Sequence, residues 1–118
     1  MPPGEAVQTG RCTFNKDVTL LAVGPHMHQL GVYMKVVAKR ASGGDVTLFD
    51  DEYSFEEQII HRIDPVEMAA GDTVDVECTY ENDTGTTVTF GDSSFSEMCF
   101  AGLLHYPPRN AGSFVCVR

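Results

Sequence analysis

Short β-branched segments separated by glycine, asparagine and aspartate turns restrict the fold of this chain more than any other feature. Residues 73–80 show the pattern best, because apolar and polar side chains alternate there almost throughout. A period of two is typical of a strand with one buried face. Strands punctuated in this way predict an all-β fold, an antiparallel β-sandwich or jelly roll. The predicted strands are 17–23, 32–38, 46–49, 73–80, 86–90 and 113–117.

Helical character is confined to residues 54–60, which fit either one helical turn or a strand. Pro65 is expected to stop any element beyond them. No internal repeat, low-complexity segment or linker divides the chain. Its 118 residues, 42% of them hydrophobic, suffice for one packed core. We therefore predict a single domain over residues 1–118.

The charge balance argues against two classes of partner. The chain has 17 acidic residues against 8 basic ones, for a net charge of −9. A nucleic-acid-binding surface needs clustered Lys and Arg to neutralise phosphates, and an anionic membrane surface attracts the same residues. No segment approaches the roughly 20 consecutive apolar residues of a membrane helix. We therefore expect no nucleic-acid partner and no membrane partner.

The four cysteines, Cys12, Cys78, Cys99 and Cys116, are widely spaced and form no Cys-x-x-Cys pair. That spacing does not favour a thiolate zinc site. An even number of separated cysteines in a short β-rich chain predicts two disulfides and an oxidising compartment, whether extracellular, periplasmic or the secretory-pathway lumen. Three connectivities are open, and spacing does not choose among them. Four buried thiols are the alternative interpretation.

His26 and His28 are the first candidates for chemistry. They stand two residues apart just after Gly24 and Pro25, and in extended backbone residues i and i+2 project to the same side. Two imidazoles on one face beside a turn suit a metal ion. Two surface histidines that make local hydrogen bonds are the competing interpretation.

A third ligand would have to come from elsewhere in the chain. The remaining histidines are His61 and His105, and the five methionines are Met1, Met27, Met34, Met68 and Met98. Met98 is notable because it precedes Cys99, although a methionine there also fits ordinary core filling. A thioether beside two imidazoles favours Cu(I), whereas zinc prefers a third imidazole, a thiolate or a carboxylate. Spacing alone does not select Met98 over the other methionines.

A set of motifs follows in this order along the chain: Cys12-Thr13-Phe14, Asp17-Val18-Thr19-Leu20-Leu21, Pro25-His26-Met27-His28-Gln29-Leu30-Gly31, Gly71-Asp72, Cys78-Thr79-Tyr80, Gly91, Glu97-Met98-Cys99 and His105-Tyr106-Pro107. Together they resemble the copper type II, ascorbate-dependent monooxygenases, which include dopamine β-hydroxylase and the peptidylglycine α-hydroxylating monooxygenase. The similarity spans nearly the whole chain, in the order and at the spacing of the family. The resemblance implies the C-terminal domain of a two-domain catalytic core, a jelly-roll sandwich that carries the oxygen-activating copper.

The resemblance also implies a ligand set and a reaction. His26, His28 and Met98 match the three protein ligands of one copper ion, which keeps an open position for O2. The expected reaction hydroxylates a C–H bond of a small-molecule substrate, with ascorbate or another reductant as the electron donor. The disulfides implied by the resemblance are Cys12–Cys116 and Cys78–Cys99.

The chain departs from the family's peptide-amidating members at three positions. Gly24 stands where they have an Arg that helps to hold the substrate carboxylate, and Phe100 and Gly102 stand where they have Asn and Tyr. Peptide amidation is therefore not favoured. The Pro-His-Met-His and His-Tyr-Pro strings resemble the dopamine β-hydroxylase branch more closely, without identifying a substrate.

A second departure concerns the electron-supplying copper, which the family holds with three histidines of an N-terminal domain. With His26 and His28 committed, only His61 and His105 are left. We therefore expect an N-terminal copper domain in the full-length protein. One alternative is a copper carrier or non-catalytic copper-binding module of a secreted protein. Another is an interaction domain whose histidines bind nothing.

Overall fold

The computed structural model describes residues 1–57, 59–91, 96–106 and 113–117. Eight strands are present in this part, joined by turns and by a short 3-10 turn over Phe55–Glu57. Among the described residues, no helix is long and apolar enough to cross a membrane. The strands are β1 (Gly4–Thr13), β2 (Val18–Met27), β3 (Gly31–Lys39), β4 (Val46–Glu52), β5 (His61–Met68), β6 (Thr73–Asn82), β7 (Cys99–Tyr106) and β8 (Ser113–Val117).

The strands form two four-stranded sheets. One sheet has the order β1-β6-β3-β4 and the other has the order β5-β2-β7-β8. Every pairing of neighbouring strands is antiparallel. The all-β class and the antiparallel sandwich are thereby confirmed, while the jelly-roll assignment stays a prediction.

The core lies between the two sheets, and β6 shows how the sequence builds it. Val74, Val76, Cys78 and Tyr80 are at most 2% exposed, and the residues between them are half-buried or exposed. This is the alternation that predicted the strand. The opposite sheet contributes residues of the same kind to the cluster, chief among them Leu20, Val23, Met27, Ala101 and Leu103.

Two predictions about strands were wrong. Within residues 86–90 only Phe90 makes a β-bridge, an isolated one to Glu97, because the backbone of Val88 pairs instead with Met1. Pro65 does not stop the chain from continuing as a strand, since β5 runs through it. Proline is tolerated there because β5 is an edge strand, and its pairing with β2 is irregular between Leu20 and Ala22.

A disulfide joins the two sheets. Cys78 of β6 is bonded to Cys99, the first residue of β7, with their Cα atoms 5.9 Å apart. This is one of the two predicted bridges. The other, Cys12–Cys116, involves a side chain outside the described residues and stays a prediction.

Candidate metal centre

The two histidines lie at the end of β2. His26 is the penultimate residue of the strand and His28 follows its last residue, Met27. Their ring centroids are 5.2 Å apart and the ring planes are nearly perpendicular, at 87°. The i, i+2 spacing therefore brings the imidazoles together, as the sequence predicts. His26 is half-buried, whereas His28 is only 5% exposed.

The hydrogen bond of the His28 ring determines which nitrogen is left for a ligand. Its Nδ1 lies 3.0 Å from the carbonyl oxygen of Ser96. A carbonyl only accepts, so Nδ1 carries the proton and donates. In the neutral ring Nε2 then keeps its lone pair, the arrangement that oriented metal-binding histidines adopt in proteins.

Met98 is brought to these histidines by the register between β2 and β7. His26 is opposite Phe100 and Met27 is opposite Cys99, and His28 and Met98 are the residues that directly adjoin this last pair. The Met98 carbonyl accepts a 2.6 Å hydrogen bond from the Tyr80 hydroxyl of the other sheet. The disulfide at Cys99 holds the next residue. The backbone at Met98 and Cys99 is thus tied twice to β6 of the opposite sheet.

Glu97 is a residue that sequence analysis gave no role of its own. Its side chain is 1% exposed, and its carboxylate accepts hydrogen bonds from the backbone amides of His28 at 2.9 Å and Leu30 at 2.8 Å. The burial of Glu97 could have been predicted from its place two residues before Cys99. A cysteine in a disulfide between the sheets points inward, and residues i and i+2 of a strand face the same side. That relation predicts a buried carboxylate, and buried charges need partners.

The surface around His26 is apolar. The Phe100 ring packs edge-on against the His26 ring, with centroids 4.6 Å apart. Gly24 and Gly102 are directly opposite each other on β2 and β7, and a Cβ built on Gly24 would lie 3.5 Å from the side chain of Ile60. Ile60 is itself 76% exposed. The three positions that depart from the amidating relatives are therefore neighbours of His26.

The other two histidines do not join this pair. His61 begins β5 opposite Val23, with its ring 4.8 Å from that of Phe49. His105 is buried in β7 opposite Leu20. The register thus places both of them away from the strand end that carries His26 and His28.

The chemistry of the available donors decides which metal would fit. Over the described parts of the chain, no group of three or more His, Cys, Asp and Glu side chains is arranged to hold a metal ion. Met98, the residue before Cys99 of the neighbouring strand β7, has a thioether, which is not one of these donor types. Two imidazoles and a thioether suit copper in its reduced state.

The sequence as a whole matches a known family. Residues 2–118 match the family described as copper type II ascorbate-dependent monooxygenase, C-terminal domain. The chain belongs to this family. The family is dependent on copper and on ascorbate, and the match places this chain in the C-terminal domain of such enzymes.

A human relative is much longer than this chain. This family domain is 38% identical over 101 residues to a human protein provisionally named DBH-like monooxygenase protein 2. The alignment covers 82% of this chain and 20% of the human protein. The chain therefore spans about a fifth of the length of that relative.

Proposed function

We propose that this chain is the copper-binding, oxygen-activating domain of a longer monooxygenase that hydroxylates a C–H bond of a small molecule. The observation that carries this proposal is the pair of imidazole rings, 5.2 Å apart, on a chain that belongs to a copper-dependent family. The orientation of His28 supports it, because the bond from Nδ1 to Ser96 leaves Nε2 for a ligand.

In this proposal His26, His28 and Met98 hold one copper ion. Bound copper would supply the activation of O2 for C–H hydroxylation, with electrons from ascorbate or another reductant. The protein's part is to fix the donors before the metal arrives. Ser96 orients the buried His28 ring, Phe100 packs against His26, and the half-buried position of His26 leaves an approach from solvent.

The surface next to His26 favours a substrate that is not held by a carboxylate. Gly24 and Gly102 present no side chain there, and Phe100 and Ile60 present apolar ones. Holding a carboxylate requires a donor such as Arg, which these four positions do not supply. We therefore propose a small molecule whose reacting part is apolar, and not a peptide held by its C-terminus.

The proposal includes an N-terminal partner domain with the second copper. The family match is to a C-terminal domain, and His61 and His105 lie apart from each other on β5 and β7. The proposed location is extracellular, periplasmic or lumenal, and the Cys78–Cys99 disulfide supports it, since such bonds persist in oxidising compartments.

X-ray absorption of the Cu(I)-loaded chain tests the ligand set. The wild type is expected to show copper–sulfur scattering together with two imidazoles, and Met98→Ile is expected to lose the sulfur contribution while keeping the imidazoles. Met68→Ile is the matched control, because Met68 is a buried methionine of β5 paired with Val18, at the other end of β2. If the wild type shows no copper–sulfur scattering, or if Met98→Ile retains it, the proposed ligand set is wrong.

A further inference from the structure

Glu97 places a carboxylate inside the protein, between the two segments that carry the proposed ligands. Oε1 accepts from the amide of His28 at 2.9 Å and Oε2 accepts from the amide of Leu30 at 2.8 Å. Oε1 also lies 3.3 Å from the amide nitrogen of Met98, which donates to it. One side chain therefore touches the backbone of two proposed ligands.

The backbone of Glu97 is itself held in place. Its amide donates to the carbonyl of Thr89 at 2.7 Å, and its carbonyl accepts from Gly91 at 3.0 Å. The preceding residue, Ser96, accepts the hydrogen bond of the His28 ring. Residues 96 and 97 therefore bind both the ring and the backbone amide of His28, and the hydrogen bonds to Thr89 and Gly91 hold residue 97 in place.

A buried carboxylate is costly unless its oxygens are satisfied, and an apolar side chain in its place would avoid that cost. The bonds to His28 and Leu30 offset the cost only while the chain after β2 keeps its present position. They are also directional, because each oxygen faces a different amide. This geometry indicates that Glu97 fixes the distance between the His28 segment and Met98, and does not only fill the core.

We propose that Glu97 is a positioning residue that fixes the separation of His28 and Met98 before copper binds. The inference rests on the proposed ligand set of His26, His28 and Met98. Glutamine has nearly the same shape as glutamate but replaces one acceptor oxygen with an NH2 group. In Glu97→Gln at least one of the three backbone amides that donate to Glu97, those of His28, Leu30 and Met98, would face a donor. The chain after β2 would then shift relative to Met98.

The test compares the full chain as wild type, Glu97→Gln and Asp72→Asn, each loaded with Cu(I). Asp72 is the matched control, because it is a buried carboxylate that also accepts from two backbone amides, those of Ala41 and Ala69. Asp72 directly precedes the first residue of β6. Tyr80, which contacts Met98, is near the other end of that strand. The measurements are Cu(I) affinity by chelator competition, copper–sulfur scattering, and the thermal midpoint without copper.

Both substitutions are expected to lower the thermal midpoint, but only Glu97→Gln is expected to weaken Cu(I) binding, by about 10- to 100-fold, with loss of copper–sulfur scattering. Unchanged affinity and scattering in Glu97→Gln would overturn the proposal, and so would an equal loss of affinity in Asp72→Asn. A wild type without copper–sulfur scattering contradicts the ligand set itself, which separates the failure of the two ideas.

A measurement on the copper-free wild type keeps the proposal testable even if Glu97→Gln does not fold. Hydrogen exchange of the His28 and Leu30 amides is expected to be at least about tenfold slower than that of Gln29, the exposed residue between them. If all three amides exchange at similar rates, the carboxylate does not hold this segment and the proposal is wrong.

Discussion

At the scale of single residues, Met27 separates the two candidate ligands and supports both of them. Its side chain is fully buried and packs on Gly31, while its carbonyl accepts a 2.6 Å hydrogen bond from the hydroxyl of Tyr53. Burial raises the pKa of Tyr53, and the negative charge of Glu97 raises it further. The hydroxyl therefore stays protonated and able to donate.

Gly31→Ala is expected to destabilise the protein by about 1–3 kcal/mol, as overpacking in a core does. A Cβ at Gly31 would lie 2.7 Å from the Cβ of Met27, an atom next to the backbone that a side-chain rotation does not move. The measurement is the free energy of unfolding in urea.

Gly102→Ala is the control for this substitution, since its new Cβ would approach only the Gly24 carbonyl oxygen, at 3.7 Å. Its stability is expected to stay close to that of the wild type. If both variants lose the same free energy of unfolding, contact with Met27 is not the reason that residue 31 must be glycine.

At the scale of strands, the register between β2 and β7 builds the site. The sequence predicts that His26 and His28 point together, because that depends only on the local period of two. It does not predict which residue of a strand more than seventy positions away lies opposite them. Only the family resemblance singled out Met98. The burial of Glu97 could have been predicted from its i, i+2 relation to Cys99, but its hydrogen bonds to His28 and Leu30 depend on the long-range pairing.

Three strands, β1, β5 and β7, were not predicted from the sequence, and each has a physical reason for its weak sequence pattern. In β1 no residue is fully buried, because the strand lies at a sheet edge, and its sequence accordingly lacks an apolar alternation. β5 contains Pro65 and is also an edge. β7 is mostly apolar on both faces and contains Gly102, so it shows no period of two.

Asp72 provides a test at the scale of the turn before β6. The backbone amides of Ala69 and Ala41 that donate to its carboxylate lower its pKa. A carboxyl whose pKa is lower in the folded state stabilises the protein above its unfolded value of about 4, and this contribution is lost as the pH falls through the folded value. Asp72→Asn removes the contribution.

The thermal midpoint of Asp72→Asn is therefore expected to lie below that of the wild type at pH 7. The gap is expected to narrow as the pH falls below about 4. Circular dichroism melts of both proteins between pH 2 and pH 7 measure this difference. A gap that stays constant over the whole range would mean that the ionised carboxylate is not the source of the stability.

At the scale of the whole molecule, the β1-β6-β3-β4 sheet carries no proposed ligand but holds the backbone of the sheet that carries them. Both histidines and Met98 lie on or beside β2 and β7. From the opposite sheet, the Tyr80 hydroxyl holds the Met98 carbonyl and Cys78 is bonded to Cys99. The packing of the sandwich and the geometry of the site therefore depend on the same contacts.

Removal of the bridge in Cys78→Ala/Cys99→Ala is expected to lower the free energy of unfolding by about 3 kcal/mol. The closed loop has a sequence separation of 21, and a loop of that size restricts the unfolded chain by about that amount. Urea unfolding under non-reducing conditions measures the loss. Val76→Ala is the control, because it opens a small cavity on the same buried face of β6 without breaking a cross-link. If the double variant loses no more stability than Val76→Ala, the bridge does little more than fill space, and the tether of Met98 to the opposite sheet rests mainly on Tyr80.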